Sequence, residues 1–149
     1  MDRVTWRCGD LFAVPQSDAA WSLGQVLLHE PRAMDSVLCG FYDVRLEAPQ
    51  LCGVAHLLTE NRLVALELVT RDALDRGRWP LVGSAALANL GAYHGLQALY
   101  YGRYAALRIV PASRIAALLE AWFGLKPWRG GPDPHALEKL LFDGAARPS

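Results

Sequence analysis

Four histidines, three cysteines and fifteen carboxylates are the side chains of this 149-residue chain that could do chemistry. Their spacing decides what chemistry that would be. His29, His56, His94 and His135 are scattered, and none stands in a paired zinc-binding motif. Cys8, Cys39 and Cys52 form no Cys-x-x-Cys pair and lie in apolar surroundings, so they read as reduced, buried cysteines. No phosphate-cradling Gly-x-x-x-x-Gly-Lys-Ser/Thr loop and no Gly-x-Ser-x-Gly elbow occurs. Gly91-x-x-x-Gly95 lacks the strand–loop–helix setting of a nucleotide loop. Cys8, His29 and Asp43 could meet as a nucleophilic trio, but any small protein offers such a set. The expectation is a chain without catalytic residues, metal or cofactor.

Two carboxylates and a group of aromatics are better placed for structure or recognition. Asp10 follows Gly9 at the start of an apolar run, where a carboxylate can accept backbone N–H groups and fix a turn. Asp43 lies within a strand-like run, either outward and solvated or paired with an Arg on a neighbouring strand. Phe12, Phe41, Trp79 and Trp122 sit in periodic apolar runs and read as core. Trp21 flanks the first turn with Asp18, and Trp128-Arg129 lies in a polar, Gly-rich loop. Tyr93, Tyr100, Tyr101, Arg103 and Tyr104 fall in a stretch rich in glycine. Tyr, Trp and Arg are the usual anchors of protein interfaces, so these residues are the candidates for binding a partner.

The elements that must position them follow from periodicity. Cys8–Pro15 and Leu23–His29 are apolar runs about the turn Gln16-Ser17-Asp18, and read as a hairpin. Val37–Leu46 is a third strand, in which Gly40 marks a bulge or a close backbone approach. Arg62–Val69 is a fourth, with its inner face ambiguous because the phase changes at Leu68-Val69. Thr70 can cap a helical turn, Arg71–Arg76, that stops at Gly77. Trp79–Gly83 is a short strand that, because Pro80 lacks an N–H, sits at an edge or begins there. Residues 84–104 read as an irregular or mobile segment with at most a short helix, and long irregular stretches in compact domains are often functional. Ala105–Val110 is a further strand. Ser113–Phe123 is a helix whose Ile115, Leu118, Leu119 and Trp122 share one face, with Gly124 at its end. A second helix is expected from Asp133-Pro134 to Gly144. The fold class is α+β: one domain over residues 1–149, a twisted, mostly antiparallel sheet able to curl toward a barrel, with the C-terminal helices packed on it.

Composition narrows the partners. Hydrophobic residues make up 52% of the chain, enough for a continuous core without disulfides or metal. The net charge is zero, which speaks against a nucleic-acid partner and against mimicry of one. Residues 1–50 carry four Arg against seven Asp and Glu, so the excess of positive charge lies in the rest. The front part is therefore the better place for contact with a basic partner. The start of the chain lacks an apolar run of signal-peptide length, and no run of about 18 apolar residues occurs, so a cytoplasmic chain with no membrane contact is expected.

Four blocks, in order, resemble a known family. Gly9-Asp10-Leu11-Phe12-Ala13-Val14-Pro15 is the first and Gly24-Gln25-Val26-Leu27 the second. Gly40-Phe41-Tyr42-Asp43 and Gly77-Arg78-Trp79-Pro80-Leu81-Val82-Gly83 are the third and fourth. They are similar to blocks of immunity protein 26, a family of antidotes to bacterial polymorphic toxins, and span residues 8–83. The first turn departs from the family, with Gln16-Ser17-Asp18-Ala19-Ala20-Trp21 in place of a more Gly-rich sequence. The resemblance implies structural roles for Gly9, Asp10, Pro15, Gly24, Gly40 and Trp79. It also implies a cytoplasmic protein, monomeric or weakly dimeric when free, that binds and neutralises a cognate toxin effector. Two rival readings are a small-ligand or peptide-binding regulatory domain and a small-barrel RNase toxin. The latter class usually shows a Gly-x-Arg-Pro block that Gly24-Gln25-Val26 lacks.

Overall fold

The computed structural model describes residues 3–50, 53–129, 132–143 and 145–148. Six strands form one sheet: β1 (Asp10–Pro15), β2 (Trp21–Glu30), β3 (Ser36–Leu46), β4 (Leu63–Val69), β5 (Leu81–Ser84) and β6 (Ile109–Val110). Their spatial order is β5-β1-β2-β3-β4-β6. Every pairing is antiparallel except β4 with β6. The sheet is open. β5 and β6 are its two edges and do not pair with each other, so the barrel-like closure is not realised. Among the described residues, three α-helices accompany the sheet: α1 (Asp72–Asp75), α2 (Leu96–Tyr100) and α3 (Ala112–Trp122).

The sheet is buried on both faces. On the first, Phe12, Val26, Phe41 and Val69 pack with Leu74 of α1, Trp79, and Ile115, Leu118 and Leu119 of α3. On the second, Leu11, Leu27, Tyr42 and Leu68 pack with Leu58, Tyr93 and Leu99. Burial on both sides explains why Val37–Phe41 and Leu63–Val69 read as nearly unbroken apolar runs rather than clean alternations. The phase change of β4 lies at its start. Tyr42 pairs with Leu63 but Phe41 with Ala65, so an irregularity there sends Leu63 to the second face and Val64 to the first.

The four sequence blocks converge on one aromatic cluster. Phe12 stacks on Trp79 at 5.2 Å, nearly parallel, and Phe41 meets both rings edge-on. The Phe12 ring lies over Gly24, where a Cβ would come within 2.4 Å of it. Gly40 makes a milder approach, its added Cβ falling 3.3 Å from the Tyr42 ring. Gly9 has φ +93°, and a Cβ there would meet the Ala85 carbonyl at 2.9 Å. Asp10 accepts the Arg7 N–H at 2.9 Å, closing the turn into β1, and Pro15 ends that strand.

Several local expectations are corrected. Thr70 does not cap α1; its hydroxyl donates to Asp72 at 2.6 Å and accepts the Ala112 N–H at 2.9 Å. β5 begins at Leu81 because Trp79 turns into the core. The strand expected over 105–110 is reduced to Ile109–Val110, preceded by a 3-10 turn at Tyr104–Ala106. The second C-terminal helix does not form. Among its described residues only Glu138–Leu140 makes a 3-10 turn, and Gly144 lies outside them. The reason is the path of the chain: Leu140 is buried in the first core, Phe142 packs against the second, and the Phe142 N–H donates to the Val64 carbonyl at 2.8 Å. A segment that wraps the edge of β4 from face to face cannot stay a helix, and this tertiary contact overrides propensity. Cys39 is buried, and burial pushes its thiol pKa up. Cys8 is exposed, contrary to expectation, and Cys52 lies outside the described residues.

The β1–β2 turn places Ala19 at φ 70°, the left-handed region that costs a residue with a Cβ roughly 1–2 kcal/mol. Ala19→Gly is expected to raise stability by about 0.5–1 kcal/mol in urea denaturation, the gain being trimmed by the freer unfolded chain. Gly24→Ala is expected to lower it by about 1–3 kcal/mol, since the ring above Gly24 must leave its stack.

Candidate functional site

Residues 84–108 cover the second face of the sheet, and polar side chains in that face hold them there. Gln25 is fully buried in β2. Its Nε2 donates to the Ala86 carbonyl at 3.0 Å and to those of Ala85 and Gly9 at 3.3 and 3.4 Å. Its Oε1 accepts the Ala88 N–H at 3.1 Å. Asn89, at φ 64°, donates through Nδ2 to the Tyr42 hydroxyl at 2.9 Å and the Leu58 carbonyl at 3.1 Å. These bonds give part-buried backbone groups of the covering segment partners in the sheet, beside the Ala85 N–H bond to the Gly9 carbonyl at 3.0 Å.

The pinned segment presents an aromatic patch. Tyr93 is buried, and burial with the nearby Glu67 carboxylate pushes its phenol up to about 12. Its ring folds back over Gly95, where a Cβ would come within 2.6 Å. α2 follows, with Leu99 buried beneath it. The helix ends in a Schellman motif: Gly102 at φ +71° donates to the Leu99 carbonyl, and the Arg103 N–H to that of Ala98. This stop leaves Tyr100 82% and Tyr101 64% exposed. Their rings meet edge-to-face at 5.1 Å, and the Arg103 guanidinium lies 5.6 Å from the Tyr101 centroid. Tyr104 is half-buried against the second core.

A groove of about 250 Å³ opens beside Tyr93. Glu67, buried at the edge of β4, reaches into it and pairs with Arg108. Burial pushes the Glu67 carboxyl up, and Arg108 opposes that rise. His94 pairs with Asp143 at 2.5 Å on the exposed rim.

The other candidate residues are dispersed. Asp18 pairs with Arg45 at 2.6 Å, and that bond holds its carboxyl below the usual range. Trp21 is half-buried against the second core. Asp43 points outward and is exposed, one of its two expected settings; among the described residues it pairs with no Arg, and it accepts the Trp122 Nε1–H at 3.1 Å. Trp128 is not an exposed anchor. It is buried in the first core with the Arg147 guanidinium 5.2 Å from its ring centroid, while neighbouring Arg129 is exposed. The trio of Cys8, His29 and Asp43 does not assemble. His29 faces Asp35 and pairs across the sheet with Val37, six residues along β3 from Asp43, or about 20 Å. Among the described residues, no three His, Cys, Asp or Glu side chains converge where a metal could be held. No described helix is long and apolar enough to cross a membrane.

Two features escaped the sequence reading. One is Gln25, whose only signal is an amide inside the apolar run Leu23–Leu28. The other is Glu120 of α3, whose carboxylate accepts the N–H and hydroxyl of Ser17 at 2.8 and 2.9 Å and ties the β1–β2 turn to the helix. No family model matches the chain, and neither a characterised protein nor a solved structure matches it significantly.

Gln25→Leu keeps the size but removes the partner of the Ala88 N–H and the bonds to the Ala85 and Ala86 carbonyls. It is expected to cost about 2–4 kcal/mol, with hydrogen exchange rising first in residues 85–89.

Proposed function

We propose that this protein is an antidote of the immunity type, which binds a cognate toxin effector in the cytoplasm of its producer and blocks it without catalysis. The observation that carries the reading is the exposed Tyr100–Tyr101 pair with Arg103 beside it. Two large rings held edge-to-face at the end of a capped helix have already lost much of the freedom that binding would remove. Their apolar faces and polar tips suit the centre of a protein interface. Leu99, buried in the second core, seats the helix, and Gln25 and Asn89 hold the chain that leads into it, so the patch is preformed. A second support is the meeting of Phe12, Gly24, Phe41 and Trp79, one from each immunity-like block, in a single cluster. A stable complex of this kind would bury roughly 1,600 Å² in total, centred on this patch.

A ligand-binding domain is the second reading. It is favoured by a cleft of about 500 Å³ beside Asp43 and Trp122, within the size range of small-molecule sites. A small molecule retained through purification and seen by native mass spectrometry would support it.

Co-expression with the product of the adjacent upstream gene tests the antidote. A stoichiometric complex that restores growth is expected. Tyr100→Ala with Tyr101→Ala is expected to weaken that complex by about 2 kcal/mol or more, roughly thirtyfold, while thermal unfolding is unchanged. No toxic neighbour and no co-purifying protein would refute the reading.

A further inference from the structure

Three cations line a groove that the aromatic patch does not use. The groove, about 450 Å³, lies between α3 and the chain that follows it. Arg114, in the first turn of α3, lines one wall, and Lys126 and Arg129 line the other. All three are exposed, and none forms an ion pair among the described residues. The acid lining the groove, Asp133, is already engaged by Lys139 at 2.6 Å and by the His135 N–H at 2.9 Å. Ala117, Pro127 and Leu137 give the groove apolar surface between the charges. Its outer wall is anchored at Trp128, which lies between Lys126 and Arg129 and is buried in the first core.

We propose that this groove docks an extended acidic segment of a partner protein, one that alternates carboxylate and apolar side chains. Charge complementarity carries the proposal: three unpaired cations flank apolar surface, with the nearby acid neutralised internally. The cations stand exposed on separate walls rather than closing on one point. That spacing suits carboxylates spread along a peptide better than a single compact ion. The proposal is independent of the antidote reading and concerns a surface on the opposite face of the sheet from Tyr100 and Tyr101.

Fluorescence anisotropy of the whole protein with a short fluorescein-labelled peptide of alternating Glu and Leu tests it. The Gln–Leu peptide is the neutral control. The Glu peptide is expected to bind and to be released as salt rises from about 0.05 M to about 0.5 M. Arg114→Glu with Lys126→Glu is expected to weaken it roughly tenfold or more, and Arg114→Gln with Arg129→Gln to weaken it less. Arg103→Glu, on the aromatic patch, is expected to leave it unchanged. Circular dichroism checks that each variant folds. Failure of the Glu peptide to bind, equal binding of the Gln peptide, or unchanged affinity in both groove variants would overturn the proposal. So would displacement of the peptide by millimolar inorganic phosphate at constant ionic strength, which would assign the groove to a small anion.

Discussion

Much of this structure hangs on two adjacent residues in the middle of β2, Gly24 and Gln25, which face opposite sides of one sheet. Gly24 supplies the absence of a side chain, and the Phe12 ring fills that space and stacks on Trp79. Gln25 supplies an amide to an otherwise apolar face, and the backbone of residues 85–88 hangs from it. A sheet covered by helices on both faces has no need of such an amide, because helices satisfy their own backbone groups. Here one cover is largely irregular chain, and irregular chain can be buried only where something in the sheet answers its N–H and C=O groups. Gln25 and Asn89 do so, which lets a glycine-rich segment act as a rigid layer.

The two covers are therefore built on different physics. The first face is closed by the apolar stripe of α3 and by aromatic stacking, and Glu120 at the rear of that helix holds the Ser17 turn. The second is closed by side chain to backbone hydrogen bonds and by single buried side chains such as Tyr93 and Leu99. The α3 side also carries a buried ionic anchor: Asp75 accepts from Trp6 and Arg71, and these bonds outweigh its burial and lower its carboxyl pKa. The Asp75 contribution is present above the ordinary carboxylate range and is lost as pH falls through the lowered value.

The first four strands were legible because their apolar runs are broken by clear turn residues, and Pro80 pointed to an edge strand or a strand start: β5 begins just after it, at an edge of the sheet. The faces of those strands were harder to read, since burial on both sides erases the alternation that would reveal them. The Asp133-Pro134 start looked like a helix because its local signals are those of a helix. The bond from Phe142 to Val64 that undoes it joins residues far apart in the chain. Trp128 looked exposed because its neighbours are polar, and no local pattern reports that a ring turns inward beneath a distant Arg147. The Tyr100–Tyr101–Arg103 cluster was visible as composition. Its exposure depends on the Gly102 stop and on the burial of Leu99, which set how α2 lies on the second core.

The strand order has a consequence for how the protein is made. β1 to β4 follow one another in both sequence and space, so a meander can form as soon as Val69 leaves the ribosome. At that moment both of its edges are bare, and each face carries only a small part of its cover, Trp6 on the first and Leu57 and Leu58 on the second. β5 must return to β1, and β6 must return to β4, before those edges are occupied. The chain after Val69, more than half of the whole, thus serves as a late-arriving shield for a structure already able to pair with its copies. Slowing translation beyond that point lengthens the interval in which two nascent chains can join edge to edge, so soluble yield is tied to the pace of synthesis as well as to native stability.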